Sequence, residues 1–198
     1  MSLPERLSEN LYKEGLVSEE DREIVEFGLE SLGGNLAGVF LTLLVGFLFG
    51  EPNQAIFFYL LLFPLRKSIG GFHANTKTGC LITSAMTLVI TFTIFLTVQH
   101  PPVFYLISFF IFGCLIFALS PVDNISKPFD DTERRVYRRR GRIVLFVEST
   151  LFFAAYYFSC DSGIRCLCMV YFVSCVALIM GLLKKKFVGL AHNKDQKK

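Results

Sequence analysis

The chain has no tryptophan, only three histidines, and long stretches without any charge. Without Trp, an interfacial aromatic belt has to be built from Tyr. The first thirty residues are charged and hold no compact apolar run, so no cleavable signal peptide is expected. No glycine-rich nucleotide-binding pattern, no HExxH and no Cys/His metal cluster occurs. The expected ligands therefore include no metal, no organic cofactor and no nucleic acid. The six cysteines (80, 114, 160, 166, 168 and 175) lie in or beside apolar segments without CxxC spacing, and most read as small hydrophobes. Cys160 and Cys166 are the one pair considered for a disulfide on the outside.

What is abundant is apolar. A hydrophobic content of 53%, 22 Phe and a mean hydropathy of +0.51 over 198 residues make an integral membrane protein. Leu3, Leu7 and Leu11 recur at helical spacing with Pro4 in a helix-starting position, which predicts a short amphipathic helix over residues 3–14. That helix lies either on the membrane surface or against the protein's own cytosolic loops. Ser18 and Asp21 resemble a capping box opening a second helix. It runs into the uncharged stretch Ser31–Gly50, the first span, with Gly33-Gly34 as a weak point near its entry.

After the turn Glu51-Pro52-Asn53, residues 53–65 form a second apolar run, short of the roughly 20 residues a straight crossing needs. It either extends through Ile69 or stops early and leaves Gly70-Gly71 in the headgroup region or a protein cavity. No Lys, Arg, Asp or Glu occurs from Thr78 to Val122, and His100-Pro101-Pro102 divides this stretch into spans at 80–98 and 103–119. Residues 120–142 read as a polar connection and 143–159 as a fifth span holding Glu148. Ser159–Arg165 reads as a turn and 166–183 as a sixth span, followed by a basic tail. With both termini cytosolic, every one of the 20 Lys and Arg residues except Arg165 falls inside. The expected fold is thus an all-α, six-span membrane protein with an N-terminal amphipathic helix and both termini cytosolic. It forms a single membrane-embedded domain over 1–198: interfacial helices at 1–30, a core at 31–183 and a cytosolic tail at 184–198.

The stretch Arg66–Cys80, RKSIGGFHANTKTGC, departs from this apolar pattern. A thiol becomes a good nucleophile when a neighbouring base takes its proton, and His73 and Cys80 are the His–Cys pair able to share one site. On one continuous helix their side chains would stand about 10.5 Å apart along the axis, so contact requires a break between them. Asn75-Thr76-Lys77-Thr78-Gly79 has loop-forming residues. Cys80 would begin the third span, where free N–H groups and the helix dipole favour a thiolate. The bland alternative is a polar loop and a helix-start cysteine with no chemistry. Gly70 and Gly71 suit close backbone approach to a peptide, or simply a turn. Glu148 is an ionisable group inside a span; the alternatives are a functional carboxyl, and a structural pair with a nearby Arg or a snorkel to the interface. Arg134–Arg142 holds six Arg, either a topology signal attracted to anionic lipid or a site for an acidic segment. His100 and His192 are far apart and carry no role.

EFGLE (Glu26–Glu30), GGFHANTKTGC and SPVDNISKPF, in this order and layout, resemble the accessory gene regulator protein B family of quorum-sensing peptidases. The resemblance covers most of the chain. It implies a cysteine endopeptidase of the bacterial cell membrane, with its active site at the cytosolic face. The substrate would be a small propeptide with an acidic C-terminal tail. His73 would be the base and Cys80 the nucleophile. Tail cleavage would leave a thioester on Cys80, and an internal Cys or Ser of the peptide would close a ring. Arg66, Gly70, Gly71, Lys77, Arg138, Arg139 and Arg140 are the candidate substrate contacts. Asp123, Glu148 and Asn75 are candidates for a third catalytic or a structural polar residue. A homodimer in the lipid bilayer is expected from the family. The competing reading is a non-enzymatic small-peptide transporter or peptide-binding membrane protein whose His–Cys loop is structural.

Overall fold

Helix starts and stops follow the local chemistry of Gly, Pro and capping side chains. The computed structural model describes residues 3–72, 76–98, 100–123 and 129–195. Seven α-helices account for most of these: α1 (Leu3–Lys13), α2 (Arg22–Leu48), α3 (Pro52–Ile69), α4 (Lys77–Phe92), α5 (Pro102–Leu119), α6 (Asp131–Tyr157) and α7 (Asp161–Asp195). A π-helical turn, Thr93–Thr97, prolongs α4. The chain divides into two compact units, Met1–Leu41 and Thr42–Lys198.

In the first unit α1 ends on Gly15 at φ +71°. The Gly15 N–H bonds the Tyr12 carbonyl and the Leu16 N–H bonds the Leu11 carbonyl, the paired closure that a glycine permits. The Ser18 hydroxyl accepts from the Asp21 N–H at 3.2 Å and donates to its carboxylate at 2.7 Å, so the expected cap is present just before α2. Gly33 and Gly34, read as a weak point, do not interrupt α2. Their neighbours hold the helix through, at the modest propensity cost of glycine.

In the second unit α2 closes on Gly50 by the same pair of bonds, and Pro52 then starts α3 from the first-turn position where its missing N–H costs nothing. The second apolar run extends through Ile69, of the two alternatives it offered. Pro64 sits inside α3, and the Ser68 hydroxyl donates to its carbonyl at 2.8 Å. Two expectations are corrected. Residues 131–142, read as connection, are the first turns of α6, because Asp130 and Glu133 form a capping box that starts the helix ahead of the Arg run. Ser159–Arg165, read as a turn, belongs to α7 from Asp161 onward.

The centre of the second unit is α7, which packs against α3, α4, α5 and α6. Half of its most apolar stretch is buried, against 17–22% in the other apolar helices, so α7 is the core and they present most of their surface outward. Phe109 stacks on Phe152 at 3.8 Å and on Tyr171 at 4.6 Å, joining α5, α6 and α7. Gln54 at the start of α3 donates to the Ser162 carbonyl at the start of α7 at 2.9 Å, and the end of α3 meets Ala177. Those two helices therefore run parallel. Phe92 of α4 packs on Phe58 of α3, and Arg142 of α6 lies over Phe117 of α5. Successive helices from α3 to α7 thus alternate in direction.

Four helical stretches are long and apolar enough to cross a membrane: Arg22–Leu48, Thr78–Thr97, Pro102–Leu119 and Asp161–Phe187. The sequence reading expected six. Helix α3 carries Asn53, Gln54, Arg66 and Lys67, and α6 begins with its Arg run, which lowers the hydropathy of both. The all-helical architecture and the apolar outward faces stand.

Candidate functional site

The end of the second unit holding the C-terminus of α3, the N-termini of α4 and α6, and the later turns of α7 gathers the polar groups. Gly70 ends α3 at φ +72°, ψ −151°, a conformation essentially restricted to glycine. It forms an isolated parallel bridge with Val122, whose N–H bonds the Ile69 carbonyl at 2.9 Å. A Cβ on Gly70 would stand 2.1 Å from the Val122 carbonyl oxygen. Gly71, at φ +133°, is as crowded: its Cβ would meet the Arg66 guanidinium at 2.5 Å and the Ala177 carbonyl at 3.2 Å. The Phe72 N–H then bonds that Ala177 carbonyl at 2.9 Å. From the other side, a Cβ on Gly181 of α7 would sit 3.0–3.1 Å from the Gly71 and Phe72 backbone. The two glycines of the sequence motif are thus required by close backbone approach on both flanks. They are packed against protein, Gly71 buried and Gly70 half-buried.

Arg66 reaches back from the last turn of α3, and its guanidinium donates to the Gly70 carbonyl at 3.2 Å. It also lies within electrostatic reach of Cys80. Helix α4 begins at Lys77, with Thr76 as an extended N-cap whose hydroxyl accepts from the Gly79 N–H at 3.1 Å. The Cys80 N–H makes the first bond of the helix, to the Thr76 carbonyl at 3.0 Å. Cys80 therefore sits in the first turn, half-buried and unpaired with any other cysteine. His73 and Asn75 lie outside the described residues, as does the side chain of Lys77. Helix α3 ends at Ile69 and α4 starts at Lys77.

Asp123 is buried beside the Gly70-Gly71 turn. Its carboxylate takes the Lys185 ammonium at 2.7 Å and the Arg134 guanidinium at 3.6 Å. Burial pushes its pKa up, but the Lys185 hydrogen bond, with the charges of Lys185 and Arg134, outweighs this and holds the carboxyl below the usual range. Lys184, one residue earlier, places its ammonium 5.6 Å from the centre of the Phe72 ring. Asp123 is thus engaged by two cations.

Glu148 is not part of this cluster. It is 2% exposed within the bundle, and neither carboxylate oxygen has a hydrogen-bond partner among the described residues. Both structural readings offered for it, an Arg pair and a snorkel, are corrected by its depth in the α6–α7 packing. Arg138, Arg139 and Arg140 are exposed on α6, on a helix rather than a loop. Arg135, Arg138, Arg139 and Arg142 line one face with Ile143 and Phe146, while Arg134 turns to Asp123. The structure does not bring Arg138–Arg140 into contact with Arg66 or Cys80 through any described hydrogen bond or ion pair. Cys160 and Cys166 are free thiols, the first exposed and the second buried. His100 stacks on Phe104 at 4.0 Å and bonds the Ile94 carbonyl at 2.8 Å, a packing role far along α4 from Cys80. Among the described residues no group of three or more His, Cys, Asp or Glu could hold a metal ion.

Lys185, Ala177 and Gly181 were not legible in the sequence. Each acts from more than fifty residues away, and a Gly or Lys in an apolar or basic helix carries no local signal.

The family profile described as Accessory gene regulator B matches residues 4–183. A protein of Clostridium perfringens (strain SM101 / Type A), described as AgrB-like, is 25% identical over 159 residues, covering 74% of each chain. A second, AgrB-like protein 2 of Clostridium perfringens (strain 13 / Type A), is 25% identical over 154 residues, covering 72% of each. No solved structure matches the chain.

Proposed function

The chain belongs to the accessory gene regulator B family, whose part is in accessory gene regulator peptide processing, and we propose that it acts there as a membrane-embedded cysteine endopeptidase. The observation that carries this reading is the place of Cys80: a half-buried free thiol in the first turn of α4, the helix that follows the tightly packed Gly70-Gly71 turn. His73 takes the thiol proton, and the Cys80 sulfur attacks a peptide carbonyl of the propeptide. The amide C–N bond breaks, the tail's new amine leaves with the proton from His73, and the remaining peptide stays as a thioester on Cys80. An internal Cys or Ser of the peptide then gives its proton to His73 and attacks the thioester carbonyl. Cys80 leaves as thiolate, and a thiolactone or lactone ring closes. Thioester to thiolactone is close to isoenergetic, so exclusion of water favours closure over hydrolysis.

In this reading the chain crosses the bilayer six times with both termini cytosolic, and the Cys80 end faces the cytosol. The alternating directions of α3 to α7 support that arrangement, as does the concentration of Lys and Arg at the Cys80 end. The acidic tail of the propeptide binds cytosolic Arg and Lys side chains, Arg138, Arg139 and Arg140 among them. A homodimer is part of the same reading. The test is reconstitution with the propeptide and mass spectrometry of the released tail. Loss of tail release in Cys80→Ala supports the peptidase; a freely exchanging, uncut peptide in wild type supports a carrier instead.

A further inference from the structure

The Gly70-Gly71 turn is packed between segments distant in sequence, and one ion pair ties two of them. The 120–123 segment follows directly on α5, and Val122 is buried against Gly70 with its N–H on the Ile69 carbonyl. Asp123 anchors the end of that segment to α6 and α7, its buried carboxylate gripped by Lys185 at 2.7 Å, with Arg134 at 3.6 Å. The neighbouring Lys184 covers the Phe72 ring, so consecutive residues of α7 pin both walls of the glycine turn. The Gly70 carbonyl in turn receives the Arg66 guanidinium, whose charge reaches Cys80. The contacts run from Lys185 to Asp123, from the adjoining Val122 to Gly70, and from Gly70 to Arg66.

We propose that Asp123 and Lys185 are positioning residues for the Gly70-Gly71 turn that precedes Cys80 in the chain, holding the 120–123 segment against that turn and so keeping the Arg66 guanidinium on the Gly70 carbonyl. Asp123 is then no proton carrier in the reaction. Its lone pairs are committed to cations on α6 and α7, and its effect on chemistry passes through backbone geometry. Lys185 is a member of the site that no local motif marks. The proposal deepens the peptidase reading above and rests on it for the cleavage assay, but not for the thiol assay.

The experiment compares Asp123→Asn, Lys185→Met and Lys185→Arg in the full chain in lipid vesicles. Two quantities are read: tail release from the propeptide, and the alkylation rate of Cys80 alone, by site-resolved mass spectrometry without peptide. A misplacement of about 1 Å at a reacting group costs on the order of a hundredfold in rate. Lys185→Met and Asp123→Asn are expected to lower kcat by about ten- to a hundredfold with a smaller change in KM. They are also expected to slow Cys80 alkylation severalfold, while Lys185→Arg keeps both near wild type. Lys185 is half exposed, so its replacement leaves insertion intact and keeps the test open where Asp123→Asn fails to fold. Alkylation and kcat both within about twofold of wild type in inserted Lys185→Met would overturn the proposal. A change in KM alone would overturn it too, since that marks a peptide contact. If wild type releases no tail yet its Cys80 alkylation responds to Lys185→Met and is rescued by Lys185→Arg, the positioning role stands and the peptidase reading falls.

Discussion

Replacing Gly70 with Ala puts one methyl group where the fold leaves no room. The backbone at φ +72°, ψ −151° lies in the region essentially open only to glycine, which costs a residue with Cβ about 1–3 kcal/mol. The added carbon would stand 2.1 Å from the Val122 carbonyl oxygen, so the 120–123 segment has to move. Its withdrawal breaks the Val122 N–H bond to Ile69, worth a further ~1 kcal/mol. Gly70→Ala is therefore expected to lose about 2–4 kcal/mol of stability in all. Gly50→Ala is the matched control: its φ is also +72°, but nothing lies within 4 Å of its would-be Cβ. It bears only the left-handed penalty, ~1–2 kcal/mol. Thermal unfolding of both variants in the same detergent separates the collision from the strain. Gly70→Ala should unfold well below Gly50→Ala and lose tail release, while Gly50→Ala keeps it. Equal unfolding temperatures, with activity kept in both, would refute the close approach of Gly70 and Val122.

Other expectations follow from the same geometry. His73→Gln should lose tail release and slow Cys80 alkylation at neutral pH; an unchanged alkylation rate would mean that the two side chains do not communicate. Asp123 has a lowered folded pKa, so its stabilisation is complete above the ordinary carboxylate value of about 3.9 and is lost as pH falls through the lower folded value. Asp123→Asn should therefore be less stable than wild type at neutral pH, with the gap in unfolding temperature closing as the pH is lowered below about 4. The triple change of Arg138, Arg139 and Arg140 to Gln should weaken propeptide binding more than chemistry on bound peptide, and salt should affect it less than wild type. Normal binding at low and high salt, in a correctly inserted variant, would make the Arg run a topology signal only.

Much of the helical architecture could be read from hydropathy and punctuation, because Gly50, Pro52 and the His100-Pro101-Pro102 break act within a few residues of themselves. The position of Cys80 at a helix start was legible for the same reason. The start of α6 was missed although Asp130 and Glu133 form a recognisable capping pair, because the charge of Arg134–Arg142 outweighed the cap in the reading. Asp123 was a candidate third catalytic or structural polar residue, but its partners Lys185 and Arg134 come from two other helices and leave no trace at sequence distance. Glu148 was expected to find a cation or the interface. Its helical phase instead turns it into the α6–α7 packing, which a single span read alone does not reveal. The glycine pair was legible as an irregular segment, but the segments that press on it, Val122, Ala177 and Gly181, are set by tertiary packing alone.

The most direct measurement is mass spectrometry of the propeptide after incubation with purified wild-type and Cys80→Ala protein in vesicles. Wild type should release the acidic tail and, when trapped by acid, carry the remaining peptide as a thioester mass on Cys80. Cys80→Ala should insert and unfold as wild type does, because the half-buried thiol contributes little packing, yet show neither product. Tail release by correctly inserted Cys80→Ala, or a wild-type reaction with no adduct on Cys80 under trapping, would contradict the account.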